Sequence, residues 1–385
     1  MFSRYLNVVQ ILSLIGLRYV LLYVGLFIST LYIPFSKQFT YLSVFETSKL
    51  PYLAGIWANF DGEHYLRIAR EGYSGASWAF FPLYPIMLRQ IHELTGVSIF
   101  IIGLILGQIF FIAGLLVTLY VLKTVYKVKN ILLMGAFFLA YPTSFFYSAI
   151  YTEALFLLLL SLTLLFFHRK SYLFFIISAG MLALTRIQGV FVVILLFYIL
   201  YSLKKSFAEN FSNFDKRYLL LGVPIIGLLL YMGYLFSATG DPLRFLTVQS
   251  SFGAQRSSSI ILLPQVYVRY IRIFITASLN YQYLISLLEF LFFNFCFVLT
   301  LIHGYMSFKK KNSAEFGLAL FSLANLILPT LTGTLSSIPR YSLFVWSPYF
   351  MLIALLSTSQ RVIIGIFIVL QCMLFGFFAQ GYFVG

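Results

Sequence analysis

Apolar residues in this chain neither alternate with polar ones nor recur on a single helical face. They run on in long blocks separated by short clusters of lysine, arginine, glycine and proline. A helix that spans a bilayer needs about 20 mostly apolar residues. Such blocks predict spans at 15–34, 99–121, 131–150, 152–167, 171–185, 188–203, 218–238, 281–302, 317–335, 341–358 and 362–380. The expectation is one all-α, polytopic membrane domain over 1–385, a bundle of about 11 helices. Two polar stretches, 35–98 and 239–280, are long enough to carry structure of their own.

Lysines give the spans a direction. Lys123, Lys127 and Lys129 follow the second span, Arg169 and Lys170 the fourth, Lys204 and Lys205 the sixth, and Lys309, Lys310 and Lys311 the eighth. All fall on one side if the N-terminus is cytoplasmic, as the positive-inside rule requires. Segments 35–98 and 239–280, and the turns near 151, 186 and 336–340, are then extracytoplasmic.

Composition agrees. Of 385 residues 61% are hydrophobic and 10% charged, and the mean hydropathy is +0.95. A soluble domain carries about 25% charged residues, so a cytosolic enzyme, a disordered scaffold and a secreted disulfide domain are excluded. Cys296 and Cys372 lie inside apolar runs, where cysteine behaves as a small hydrophobe. The net charge of +15 fits basic cytoplasmic loops and an anionic lipid partner, not nucleic acid. The N-terminal apolar stretch lacks a small-residue cleavage site and reads as a first span.

The outer face holds few lysines (Lys37, Lys49) but many arginines: Arg67, Arg70, Arg89, Arg186, Arg244, Arg256, Arg269, Arg272 and Arg340. Part of this set is explained by snorkelling and by pairing with Glu71, Glu93 or Asp241. The remainder point to a phosphate-bearing substrate, because the planar guanidinium grips phosphate oxygens in pairs. Arg186 stands out. Residues 171–203 are apolar except for Thr185-Arg186-Ile187-Gln188-Gly189 at their centre, so each half is shorter than the bilayer core. Arg186 and Gln188 then sit on a recessed turn, which is tolerated where protein or a water-filled cavity surrounds it.

The densest polar cluster runs from Trp57 to Tyr73. From Asp61 it predicts a short helix at the membrane surface, with Asp61, His64, Tyr65 and Ile68 on one face and Glu63, Arg67 and Arg70 on another. Asp61 can serve as the N-cap of that helix, and Glu63 as the i,i+4 partner of Arg67. Neither role accounts for His64 and Tyr65 beside Asp61. Glu153 opens a helix at an outer turn, where an acid suits the helix dipole. Asp241 before Pro242 starts a turn. His64, His92, His168 and His303 show no metal-ligand spacing.

Asp61-Gly62-Glu63-His64-Tyr65, then Ile68-Ala69, Gly72-Tyr73 and Ala79-Phe80-Phe81-Pro82-Leu83-Tyr84-Pro85, resemble the PIG-V family of mannosyltransferases, GPI mannosyltransferase 2 and its prokaryotic relatives in the GT-C superfamily. Later blocks are also similar and follow family order to about residue 341: Tyr141 to Ala149 with Tyr151-Thr152-Glu153-Ala154, Thr185 to Gly189, Gly240-Asp241-Pro242-Leu243 through Gln249, and Ser337-Ile338-Pro339-Arg340-Tyr341. Members carry Trp directly before the Asp, where this chain has Phe60. The resemblance implies an inverting, metal-independent transfer of mannose from a polyprenyl- or dolichyl-phosphate carrier to a lipid or glycan acceptor. It needs no cofactor and places the site outside the plasma membrane of a prokaryote, or at the endoplasmic reticulum membrane of a eukaryote. It also implies that an acid of the first outer loop acts in catalysis, which falls on Asp61. Arg186 and Arg340 become candidates for the carrier phosphate; His64, Tyr65, Glu63, Gln188, Glu153 and Asp241 become candidates for substrate contact. A transporter or flippase for a polyprenyl-linked lipid is the competing expectation. It would place its acids at the bilayer midplane, where only Glu289 qualifies, and Glu289 can pair with a tyrosine or with Asn294.

Overall fold

Thirteen helices of ten or more residues organise the computed structural model, which describes residues 7–36, 52–202, 215–252, 256–257 and 259–385. Lys37, Lys49, Lys204 and Lys205 lie outside the described residues. The first six helices are α1 (Val8–Tyr32), α2 (Asp61–Glu71), α3 (Leu83–Thr95), α4 (Ile99–Thr124), α5 (Ile131–Ala140) and α6 (Glu153–His168). Then come α7 (Tyr172–Ala183), α8 (Val192–Ser202), α9 (Gly222–Thr239), α10 (Leu263–Thr276), α11 (Tyr281–Lys309), α12 (Ser313–Thr330) and α13 (Ser357–Ala379). No strand occurs among the described residues. Among the described residues, six segments are long and apolar enough to cross a membrane: α1, α4, Lys216–Thr239, α11, α12 and α13. The chain is an all-helical membrane protein.

Three of the expected spans differ in the structure. The first helix starts at Val8, not near 15, because the Asn7 side chain accepts from the Gln10 amide and caps it. The 131–150 block does not form one helix. Pro142 turns Tyr141 into an extended conformation, φ −52 and ψ 132, so α5 stops at Ala140 and a short 3₁₀ turn, Ser144–Ser148, follows. The 341–358 block breaks as well, into the turns Ile338–Tyr341, Ser342–Phe344 and Ser347–Leu352. Pro348 lacks the amide that a helix running on through it needs.

The chain divides into two compact units. One comprises 1–162 with 353–384, and the other 163–352. In the first, α1 packs on α13 through small residues: a Cβ placed on Gly25 would come within 2.6 Å of Cys372 Cβ. Helices α3 and α4 flank α2. In the second, α9 packs on α7, while α12 packs on α8 and α11. The break expected at Thr185–Gly189 is present. Residues Ile187–Phe191 form a 3₁₀ turn folded back on the end of α7, so close that a Cβ on Gly189 would meet the Leu182 carbonyl oxygen at 2.4 Å.

Candidate functional site

Two clusters of polar side chains gather the sequence candidates, one in each unit. In the first unit, Phe60 precedes α2 with φ +59, a left-handed conformation that a non-glycine residue holds at a cost of about 1–3 kcal/mol. The Phe60 ring is held between Phe378 and Phe383, at 5.7 and 5.6 Å. That reversal makes Phe60 the N-cap, with no side-chain cap bond, and puts Asp61 in the first turn. The capping role expected for Asp61 is therefore not the one it plays. Asp61 shares that first turn with Glu63, where negative charge is favoured.

The start of α2 is tied to the segment before α6. Asp61 donates its amide to Tyr151 Oη at 3.1 Å, and Tyr151 Oη donates to the Asn59 carbonyl at 2.8 Å. The Ile150 amide donates to the Trp57 carbonyl at 2.8 Å, and Tyr65 Oη shares a 3.2 Å hydrogen bond with Thr152 Oγ1. Glu153, buried at the first position of α6, lies near enough for its charge to act on Tyr84. Burial, with the fields of Tyr65 and Glu153, pushes the Tyr84 hydroxyl above its usual range, so it stays protonated. Asp61, His64, Tyr65, Thr152 and Glu153 thus form one polar cluster walled by Phe80 and Tyr84.

His64 stacks on Phe80 at 4.8 Å, and its Nδ1 accepts from Arg67 at 3.1 Å. Burial lowers its pKa below 6.5; the Arg67 charge lowers it further and the Asp61 charge opposes. With Nδ1 an acceptor, the neutral ring carries its proton on Nε2. The helix expected from Asp61 is present and largely buried within its unit, Glu63, His64 and Tyr65 included, because α3, α4 and the 149–153 segment cover it.

In the second unit Arg186 and Arg340 meet at one ring. Their guanidinium carbons lie 5.0 and 5.6 Å from the Tyr341 centroid, and Arg186 also lies 5.5 Å from Phe344. They are 9% and 6% exposed. Arg186 Nε donates to Gln188 Oε1 at 3.0 Å, and the buried Gln188 Nε2 has no hydrogen-bond partner among the described residues. The segment before Arg340 turns on Ser337, φ +67, and is braced from several helices. Arg269 donates to the Gly333 carbonyl at 3.0 Å, and Arg256 to Ser336 and Ser337 hydroxyls at 3.4 and 3.3 Å. Tyr270 Oη donates to Glu289 at 2.6 Å and accepts from the Leu335 amide at 3.0 Å. Glu289 therefore pairs with a tyrosine, while Asn294 accepts from Tyr267 at 2.7 Å. Asp241 is occupied by its own turn, accepting from the Leu243 amide at 2.9 Å and Thr247 Oγ1 at 2.8 Å.

Several residues escaped the sequence reading. Tyr151 was legible only as part of a motif, and its hydrogen bonds join segments that are distant in the chain. Tyr270 lies in an aromatic-rich stretch that gave it no distinction. Arg18 offered a signal, a lone arginine within the first apolar block. Among the described residues, no group of three or more His, Cys, Asp or Glu side chains is placed to hold a metal. Comparison with known protein families, curated proteins and solved structures finds no match.

Proposed function

We propose that the protein is a membrane glycosyltransferase, moving mannose from a polyprenyl- or dolichyl-phosphate carrier to a lipid or glycan acceptor. The observation that supports this most is the arginine pair at Tyr341. Two like charges held at one ring, beside a buried amide with a spare donor, suit a ligand phosphate that accepts hydrogen bonds from them. The proposal keeps the GT-C-like bundle, the cytoplasmic N-terminus and the extracytoplasmic site as its setting.

In the reaction, Asp61 takes the proton of the acceptor hydroxyl as that oxygen attacks the anomeric carbon. The bond from that carbon to the phosphate oxygen breaks, and its electron pair leaves with the carrier phosphate. Charge on a departing phosphate calls for cationic hydrogen-bond donors, and Arg186 and Arg340 are donors of that kind. A β-linked donor gives an α-linked product by this single displacement. His64 is neutral above its lowered pKa and lies close enough to Asp61 for the two charges to act on each other.

The test is sugar transfer in liposomes from polyprenyl-phosphate-mannose, with total lipid extract as acceptor. Wild-type transfer that falls at least ten-fold in Arg186→Ala and Arg340→Ala supports the proposal. Carrier movement across the bilayer without transfer would favour a flippase instead.

A further inference from the structure

Arg18 lies about 15 Å along α1 from Val8, near the middle of a spanning helix, and it is 3% exposed. An ionisable side chain at that depth is costly unless the protein uses it. Among the described residues it has no carboxylate partner, and three of its hydrogen bonds go to the irregular segment after α5. Nε donates to Ser144 Oγ at 3.3 Å, Nη1 to Ser148 Oγ at 3.2 Å, and Nη2 to the Ser144 carbonyl at 2.8 Å. Its guanidinium carbon is 5.0 Å from the Phe111 centroid and 5.3 Å from that of Tyr19.

The same segment is fastened from α13 and α4. Gln371 Nε2 donates to the Leu139 and Tyr141 carbonyls, each at 2.9 Å, and to Ser144 Oγ. Gln108 Nε2 donates to the Ser148 carbonyl at 3.1 Å, and Tyr19 Oη bonds Gln108 and Ser148. Non-helical backbone inside a membrane must find such partners within the protein. Two residues beyond Ser148 the chain reaches Ile150 and Tyr151, whose hydrogen bonds to Trp57, Asn59 and Asp61 seat the start of α2.

We infer that Arg18 is a positioning residue: its planar fork fixes the Ser144–Ser148 turn, and through Ile150 and Tyr151 the place of the Asp61 carboxylate. This rests on the reading of Asp61 as the base, and the link from Arg18 to the α2 start can be tested without it. The fork matters more than the charge, because a lysine ammonium cannot hold one carbonyl and two hydroxyls in a single plane.

The experiment uses the full chain in liposomes, comparing wild type with Arg18→Lys, Arg18→Met and Ser148→Ala. Hydrogen exchange followed by mass spectrometry reads peptides covering Ile150 and Asp61, with peptides from 172–202 as controls. In Arg18→Met, exchange at Ile150 and Asp61 rises at least ten-fold while the controls stay unchanged. Arg18→Lys lies nearer to Arg18→Met than to wild type, and Ser148→Ala, which removes one acceptor, shows a smaller rise. In the transfer assay Arg18→Met lowers kcat at least ten-fold and leaves KM for the donor within two-fold. Unchanged exchange at Ile150 and Asp61 in the folded variants overturns the inference, as does a KM change at constant kcat. If Arg18→Met does not fold, Arg18→Lys and Ser148→Ala decide it alone. If wild type transfers no sugar, the proposed reaction fails, and exchange still decides the link from Arg18 to α2.

Discussion

Arg186 and Arg340, distant in sequence, lie at the same aromatic ring, their guanidinium carbons 5.0 and 5.6 Å from the centroid of Tyr341. A cation at a ring face gains about 0.5–2 kcal/mol, so Tyr341 offsets part of the repulsion between the two charges. On the proposed function, a carrier phosphate would bring hydrogen-bond acceptors to both. The first expectation follows from that balance. Arg186→Ala and Arg340→Ala should each weaken binding of a polyprenyl phosphate by about ten- to a hundred-fold, the loss of one or more charge-assisted hydrogen bonds. Their double variant should lose less than the sum, because both act on one anion. Isothermal titration in detergent with polyprenyl phosphate, and with the uncharged polyprenol as control, reads both effects.

The turn that carries Arg186 depends on Gly189. A Cβ there would meet the Leu182 carbonyl oxygen at 2.4 Å and the Ala183 Cα at 3.0 Å, backbone atoms that cannot rotate away. Gly189→Ala should therefore destabilise the protein by about 1–3 kcal/mol and weaken phosphate binding as Arg186 shifts. A thermal melt of the purified variant checks the first effect and the same titration the second.

Glu289 braces the segment that carries Arg340, accepting from Tyr270 Oη at 2.6 Å. Glu289→Gln retains an acceptor for that hydroxyl; Glu289→Leu leaves it buried without one. The leucine variant should melt lower, a loss of about 1–3 kcal/mol, and the glutamine variant should remain close to wild type. Equal melting of the two would mean that the Tyr270 hydrogen bond does not hold the segment.

His64 gives the first cluster a pH dependence whose sign is fixed. Its folded pKa is lowered, by burial and by Arg67 against the opposing charge of Asp61, so the unfolded chain binds the proton more readily. Stability is full above pH 6.5, the unfolded value, and falls as pH drops from there toward the folded pKa. His64→Gln removes that slope. Between pH 8 and pH 5 the melting temperature of wild type should fall further than that of His64→Gln, whatever their offset at neutrality.

Much of the fold was legible because apolar blocks of spanning length have few other uses. The long helices α4, α11 and α13 lie close to the blocks read for them, and the broken stretch around Arg186 was visible from its length alone. The failures have local causes. Hydropathy cannot register that Tyr141-Pro142 stops α5 while the following residues remain buried, nor that Pro348 interrupts the 341–358 block. At the candidate site, residue types and helical spacing could nominate Asp61, His64 and Tyr65, which share a face of α2. The roles of Tyr151 and Arg18 depend on hydrogen bonds between residues roughly a hundred positions apart, and no periodicity carries that information. The left-handed turn at Phe60, which takes the capping position from Asp61, was hidden for another reason: phenylalanine gives no signal for positive φ.

The central claim is that Asp61 removes the acceptor proton. It is tested most directly by sugar transfer from polyprenyl-phosphate-mannose in liposomes, comparing wild type with Asp61→Asn of matched fold and amount. Asparagine keeps the shape and the hydrogen-bonding groups but cannot take the proton, so transfer should fall by about a hundred-fold or more while polyprenyl phosphate still binds. Full transfer by Asp61→Asn would contradict the account and move the search for the base to Glu63 or His64.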